Sequence, residues 1–457
     1  MPLPQALTAL APFLGQRLST SKSDLDLHGR SESYFPPMPP DAVAYPQSTE
    51  EVRRIVEVCA QEAVPVIAWG TGTALEGHAS AVQGGICVDF SRMNRVLEIR
   101  AADMDVTVQP GVTREALNTE LRATGLMFPV DPGANASIGG MAATRASGTT
   151  TLRYGTMRDN VMALQVVLGD GRVVRTGTRA RKSAAGYDLT GLMVGSEGTL
   201  GLITELTLRL SGIPETVAAG VCAFDHIDDA VNAVIDTVQM GLPLARMELV
   251  DHATAAAFNA YAGTSFPECP HLMVEFHGRP DAVAEQCARF AEIVDDHDAR
   301  GFEWSTKEED RRALWAMRHN AYYAILASRP GARALVTDIC VPVSRLARAI
   351  EETRADLACS PIAGPILGHV GDGNFHAILL VDPAEPKELA EAQRLSHRMV
   401  GRALDLGGTA TGEHGVGLGK RDYMAREHGE GWQMMGAIKT ALDPHGILNP
   451  GKLVPPL

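Results

Sequence analysis

Two histidines, His369 and His376, bracket the run His369-Val-Gly-Asp-Gly-Asn-Phe-His376. Its Asp372-Gly373 pair is the dipeptide that favours a two-residue type I′ turn, where both central residues take positive φ. Counting back from such a turn sets Gly371 opposite Asn374, Val370 opposite Phe375 and His369 opposite His376. Directly opposed residues of an antiparallel pair share one face, with Cβ atoms roughly 5 Å apart. The expected hairpin therefore brings two imidazoles within reach of one metal ion. Pro365-Ile-Leu before it and the apolar, β-prone run Ala377-Ile-Leu-Leu-Val381 after it supply the arms.

A carboxylate and a third imidazole occur in Gly407-Gly-Thr-Ala-Thr-Gly-Glu413-His414-Gly-Val-Gly-Leu-Gly419. The run is too rich in glycine for a helix interior, and it can fold closely around a ligand. Two histidines and one carboxylate are a common donor set for a divalent first-row metal that keeps a position open for substrate. His369, His376 and Glu413 are thus the expected ligands of zinc or manganese. His414 is left as an acid or base.

Three segments of small residues point to a second, larger ligand. Trp69-Gly70-Thr71-Gly72-Thr73 ends an apolar run, and its amides and hydroxyls can converge on an anionic group. Asp131-Pro-Gly-Ala-Asn-Ala-Ser-Ile-Gly-Gly-Met-Ala-Ala-Thr-Arg-Ala-Ser-Gly148 is built almost wholly of small side chains. A core made from it would be full of cavities, whereas a planar ligand lying against main chain requires such a surface. Gly195-Ser-Glu-Gly-Thr-Leu-Gly201 adds a third turn of this kind. Together they indicate an extended cofactor, although none is the G-x-G-x-x-G dinucleotide fingerprint.

These motifs, with Gly412-Glu-His-Gly415 and Leu448-Asn-Pro-Gly-Lys452, resemble the FAD-dependent D-2-hydroxyacid dehydrogenases in family order from about residue 40 to 452. That family contains cytochrome-linked D-lactate dehydrogenases, the flavin subunit of glycolate oxidase and D-2-hydroxyglutarate dehydrogenase, within the vanillyl-alcohol oxidase superfamily. The resemblance implies an α+β fold: a vanillyl-alcohol oxidase type FAD-binding domain and an α+β substrate cap built on an antiparallel sheet. It also implies the cofactor contacts. Trp69, Gly70, Thr71, Gly72 and Thr73 lie at the pyrophosphate. Pro132, Gly133, Ser137, Ile138, Gly139, Gly140, Ala143, Ser147 and Gly148 surround the cofactor and its ring, with Glu197, Gly198, Gly201 and Ile203 from the third turn. Asn449 and Lys452 return to the flavin from the C-terminus. Because no histidine stands in Gly70-Thr-Gly-Thr73, FAD is expected to be noncovalent, and His78 reads as an ordinary loop histidine.

A 2-hydroxy acid loses a hydroxyl proton as hydride leaves the adjacent carbon. A Lewis-acidic metal suits the hydroxyl, a neutral imidazole at His414 suits the proton, and flavin suits the hydride. Arg318, in Trp315-Ala-Met-Arg-His-Asn320, resembles the family's carboxylate clamp. Relatives that oxidise 2-hydroxyglutarate carry a lysine two residues before an aspartate, where this chain has Val336-Thr-Asp338. D-Lactate or another monocarboxylic D-2-hydroxy acid is therefore the expected substrate. Cytochrome c, a quinone or an electron-transfer flavoprotein would be the acceptor, and a homodimer the assembly. A metal-dependent hydrolase is the rival reading from the same donor set, and a noncatalytic flavoprotein a third.

The elements that must hold these residues can be traced along the chain. A Pro-rich run at 36–40 ends an N-terminal segment, 1–39, and opens an FAD-binding domain over 40–214. In that domain a helix over 50–62 presents Val52, Ile55, Val56 and Cys59 at helical spacing. Strands are expected at 64–69, 85–90, 96–99, 106–109 and 202–210, a helix at 113–123, and a hairpin at 161–175. A cap domain over 215–408 alternates strands (217–224, 246–250, 271–276, 335–341) with helices (228–240, 281–294, 344–357, 386–406). Residues 409–457 form a C-terminal segment. The 457 residues exceed a single core. The net charge of −14 argues against nucleic-acid binding. Seven scattered cysteines without a C-x-x-C pair fit a reducing compartment. With no basic n-region, the expected address is the cytoplasm, or the periphery of a membrane.

Overall fold

The computed structural model describes residues 2–455. The chain divides into two compact units: Met1–Ser147, Gly155–Ile213 and Glu413–Leu457 form the first, and Gly148–Tyr154 and Pro214–Gly412 the second. Among the described residues no helix is long and apolar enough to cross a membrane.

In the first unit, strands Ala42–Ala44, Ile86–Asp89 and Val66–Trp69 pair in parallel, with Leu18–Ser19 antiparallel at the edge. The helix Thr49–Gln61 starts where the Ser48 hydroxyl accepts the Glu51 N–H, and it buries Val52, Ile55, Val56 and Cys59 as its spacing predicts. They pack against Val66, Ile86 and Val88. Each buried aliphatic side chain of this kind contributes roughly 1.5–3 kcal/mol. A second, five-stranded antiparallel sheet runs Val96–Arg100, Asp105–Val108, Leu202–Arg209, Val161–Val167, Val173–Gly177. Its last two strands are the expected hairpin, closed by Gly171 N–H to the Leu168 carbonyl at 2.9 Å. Within the small-residue run, Ile138–Thr144 forms a short helix capped by the Ser137 hydroxyl. Ile138, Met141 and Ala142 bury against Val106, Leu164 and Leu206.

The second unit is an eight-stranded antiparallel sheet. Its path is Phe302–Ser305, Thr216–Ala223, His271–Gly278, Leu244–Val250, Ile366–Gly368, Asn374–Val381 and Arg333–Val336, with Ile339–Cys340 also paired to Asn374–Val381. Glu248 faces Met273 and Arg246 faces Glu275 across one strand pair. The two-residue period therefore sets Arg246, Glu248 and Val250 on one face with Met273, Glu275 and His277. The opposite face is apolar, with Phe276 edge-on to Phe290 of the helix Pro280–Asp296. The helix Glu308–His319 covers the polar face. Its Trp315 ring lies under the Arg246 guanidinium at 4.6 Å, and Leu314 and Trp315 join Val250 and Met273 in a core.

Candidate functional site

The expected histidine pair forms, by a different turn. Leu367, not His369, pairs with His376, and Ile366 pairs with Ala377. Residues Val370–Asp372 make a 3-10 turn and Gly373 follows at φ +80°, so a four-residue loop replaces the two-residue type I′ turn. The cause is tertiary. Val341 N–H bonds the Gly373 carbonyl at 3.0 Å, and Ile339–Cys340 pairs with Phe375 and Asn374, which holds the loop open. A Cβ on Gly373 would stand 2.0 Å from the Val341 carbonyl oxygen, so the loop packs this way only with glycine there. His369 and His376 still meet edge to face, with ring centroids 5.7 Å apart.

Each ring is oriented by a hydrogen bond at Nδ1. His369 Nδ1 lies 2.6 Å from Glu248 Oε1, and His376 Nδ1 lies 2.9 Å from the Thr337 carbonyl. Both partners are acceptors, so Nδ1 is the donating nitrogen of each ring. This is the carboxylate or carbonyl support that metal-ligating histidines characteristically have. Glu248 also receives Arg318, from Nε at 2.8 Å and Nη2 at 2.6 Å, both to Oε2. Burial alone would raise the Glu248 carboxyl, but the charges and hydrogen bonds of His369 and Arg318 outweigh it and hold it below the usual carboxylate range. Arg318 is itself buried, although Arg311 and Arg312 precede it on the same helix.

Sequence reading passed over Glu248 and the groups beside it. A carboxylate between Met247 and Leu249 in a buried strand was the available signal, since an acid rarely stands in such a place without a partner. Asp338 is likewise fully buried. It accepts from Asn374 Nδ2 at 2.8 Å and Thr411 Oγ1 at 2.6 Å, and lies 3.7 Å from His376 Nδ1. On the same sheet, His277 links Glu275 to the hydroxyl of Tyr154, from the helix Thr151–Tyr154, at 2.7 Å each.

Of the remaining candidates, Gly148 opens the 148–154 segment of the second unit and the others belong to the first. Glu413 accepts from the Ser147 hydroxyl at 2.7 Å. His414 Nδ1 stands 4.0 Å from Glu76 Oε1. The loop after it is pinned by Val416 and Gly417 N–H groups donating to the Glu197 carboxylate at 2.6 and 2.8 Å.

The three small-residue segments meet in the first unit as well. Gly70 abuts Ser137 and Gly140, and Glu197, at φ +54°, donates its N–H to the Ala143 carbonyl at 2.8 Å. The C-terminal segment is carried to them by a buried lysine. Lys439 Nζ bonds Asp443 and the Thr199 and Leu448 carbonyls, and Leu448 bridges in parallel to Val66. Asn449 Nδ2 then donates to the Glu197 and His78 carbonyls at 2.7 and 3.1 Å, and Lys452 Nζ to the Ser80 carbonyl at 2.6 Å.

The glycines expected at a cofactor fall into two kinds. At Gly70, Gly72, Gly139 and Gly201 a Cβ would strike the protein itself at 2.3–2.5 Å, so packing alone requires glycine. At Gly133, which is exposed, it would meet nothing within 4 Å, and at the buried Gly198 only the Ala68 methyl at 3.5 Å, an ordinary contact. The small-residue segments, with the buried and unsatisfied His78 Nδ1 next to Glu197, fit an extended cofactor. His78 is not an ordinary loop histidine: it is buried, its Nε2 faces the Glu197 carboxylate at 3.3 Å, and its Nδ1 has no hydrogen-bond partner among the described residues.

Comparison with known proteins agrees. Residues 40–177 match the family model "FAD binding domain", and residues 213–453 match "FAD linked oxidases, C-terminal domain". The chain is 48% identical to a Danio rerio protein named "Probable D-lactate dehydrogenase, mitochondrial", over 96% of this chain and 89% of that one. It is 45% identical to "D-lactate dehydrogenase [cytochrome], mitochondrial" of Arabidopsis thaliana, over 99% of this chain and 80% of that one. The solved structure of 4-ethylphenol oxidase from Gulosibacter chungangensis superposes with a TM-score of 0.80 at 21% identity, covering 99% of this chain and 97% of that chain. That likeness shows the vanillyl-alcohol oxidase type α+β fold. The expected cytoplasmic address is overturned, because both of these curated relatives are mitochondrial by name. The signals used for it, dispersed thiols and no basic n-region, separate reducing from secretory compartments and do not distinguish among reducing ones.

Proposed function

We propose that this chain, which belongs to the FAD-dependent D-2-hydroxyacid dehydrogenase family, oxidises D-lactate to pyruvate and passes the electrons to a cytochrome. The names and identities of its relatives support the substrate and the acceptor. One observation carries the chemistry: a single buried carboxylate, Glu248, bonds both His369 and Arg318.

His369, His376 and Glu413 would hold one divalent metal, zinc or manganese, which when bound acts as a Lewis acid toward the substrate hydroxyl. FAD, held by the first unit's small-residue segments with Asn449 and Lys452, supplies the hydride acceptor. His414 takes the hydroxyl proton. The backbone two and three residues after it is held by the Glu197 carboxylate. Arg318 binds the substrate carboxylate through the Nη1 side of its guanidinium, since Nε and Nη2 already engage Glu248. Glu248 therefore sets the distance between the carboxylate clamp and His369. Val336, in place of a lysine, removes the cation a second substrate carboxylate would need, which favours lactate over 2-hydroxyglutarate.

The test is turnover with cytochrome c as acceptor and a panel of D-lactate, L-lactate, glycolate and D-2-hydroxyglutarate. D-Lactate should give the highest kcat/KM. A higher value for D-2-hydroxyglutarate would refute the substrate assignment. A higher value for L-lactate would refute the stereochemistry.

A further inference from the structure

His78 is 7% exposed; its Nε2 is engaged by the Glu197 carboxylate, and its Nδ1 has no hydrogen-bond partner among the described residues. Leaving a buried polar group unsatisfied costs roughly 1–3 kcal/mol, so a native chain retains one where something outside the chain completes it. The surroundings are charged. Nε2 stands 3.3 Å from Glu197 Oε1, and Glu197 is itself buried and held by two backbone N–H groups. Burial alone would depress the imidazole, but the Glu197 carboxylate, helped by Glu76, outweighs it and raises the ring above its ordinary value. Lys452 and Asn449 complete the cluster, with Asn449 bonding the His78 carbonyl and accepting from Lys452 Nζ. Burial pushes the Lys452 amine down to about 7. Beside Glu197, a Cβ at the buried Gly198 would meet only the Ala68 methyl, at 3.5 Å, so this side of the cluster is lined by small groups.

We propose that His78, ion-paired to Glu197, is a flavin-binding residue that donates a hydrogen bond through Nδ1 to the isoalloxazine ring. The inference rests on FAD being the cofactor. Two-electron reduction adds negative charge to that ring, so a cationic donor binds the reduced form more tightly than the oxidised one and raises the flavin potential. His78 thereby tunes how readily substrate reduces the flavin, without touching substrate itself.

The experiment compares wild type, His78→Leu and His78→Gln by FAD titration of the apoprotein and by the midpoint potential of bound flavin. His78→Leu should bind FAD at least tenfold more weakly. It should also lose about tenfold of the preference for reduced flavin, a fall of about 30 mV for a two-electron couple. His78→Gln keeps a donor and loses the charge, so affinity should recover while the potential stays low. If the leucine variant does not fold, the glutamine variant decides by its potential alone. Wild-type affinity and potential in these variants would overturn the proposal, as expected if buried water completes the ring. Weaker binding at an unchanged potential would place His78 at the phosphates or adenine and also overturn it. Wild-type protein that binds no FAD would instead refute the cofactor reading.

Discussion

Glu248→Gln isolates the contact on which the site is built. Glu248 has two carboxylate oxygens and uses one for His369 Nδ1 and the other for Arg318 Nε and Nη2. Glutamine offers one carbonyl oxygen, so it serves one partner and turns its amide N–H groups toward the other, which is also a donor. If the oxygen stays on Arg318, His369 loses the acceptor that holds its Nδ1 proton and its ring orientation. Losing such support lowers metal affinity or activity by about 10–100-fold, or about 1.4–2.7 kcal/mol at 1.36 kcal/mol per decade. If the oxygen turns to His369, Arg318 is left 8% exposed without a counter-charge. Breaking a buried pair in this way costs about 3–5 kcal/mol of stability. The variant should therefore lose metal affinity in a chelator competition, lose stability in a thermal melt, or both, with a rise in KM for D-lactate as the clamp loosens. Wild-type metal affinity, melting temperature and KM together would refute the reasoning.

Glu413→Gln and His414→Asn should separate neighbours with different roles. The first should lose metal as well as rate, and the second should keep metal and FAD while flavin reduction slows by roughly 100-fold or more; loss of metal in His414→Asn would make His414 a ligand. Replacing His369 or His376 by Ala should reduce metal content with FAD retained, as metal analysis beside the flavin spectrum would show, and full occupancy in either variant would remove that residue from the ligand set. Acid precipitation of the protein should release all the flavin as FAD, because Gly70 to Thr73 contain no attachment histidine; yellow pellets would contradict this. His28 supplies the pH dependence. Burial alone would depress it, but its Nδ1 faces the Asp24 carbonyl at 2.7 Å and its Nε2 the Asp89 carboxylate at 2.8 Å, and these raise it. Its stabilisation is fully present below the ordinary histidine value near 6.5 and is lost as pH rises through the raised one. The stability difference between wild type and His28→Gln in urea should thus be larger at pH 6 than at pH 8.5, and a difference independent of pH would refute the ion pair.

The sequence was most legible where local pattern and tertiary packing ask for the same thing. The 50–62 helix forms as Thr49–Gln61 with its four spaced apolar residues buried, and the 202–210 strand forms as Leu202–Arg209. Elements failed where packing overrides pattern. The expected strand 335–341 breaks at Thr337-Asp338 into Arg333–Val336 and Ile339–Cys340, because Asp338 turns inward to Asn374 and Thr411. Helices His252–Ala262 and Ala321–Ala327 were missed, their alanine-rich runs giving little amphipathic contrast. At the site, motif spacing identified the histidines but misplaced their register, since Asp372-Gly373 by itself cannot report that Val341 holds the loop. Glu248, far from His369 in sequence, has no local spacing that would announce the contact.

The central claim is that D-lactate reduces the flavin of this protein. Anaerobic stopped-flow mixing of the FAD-loaded enzyme with D-lactate, followed by flavin absorbance, tests it in one turnover without any assumption about the acceptor. Rapid, complete bleaching by D-lactate, with L-lactate and NADH leaving the flavin oxidised on the same timescale, is the predicted result. Flavin that stays yellow with D-lactate in metal-replete protein, or that bleaches as fast with L-lactate, would contradict the account.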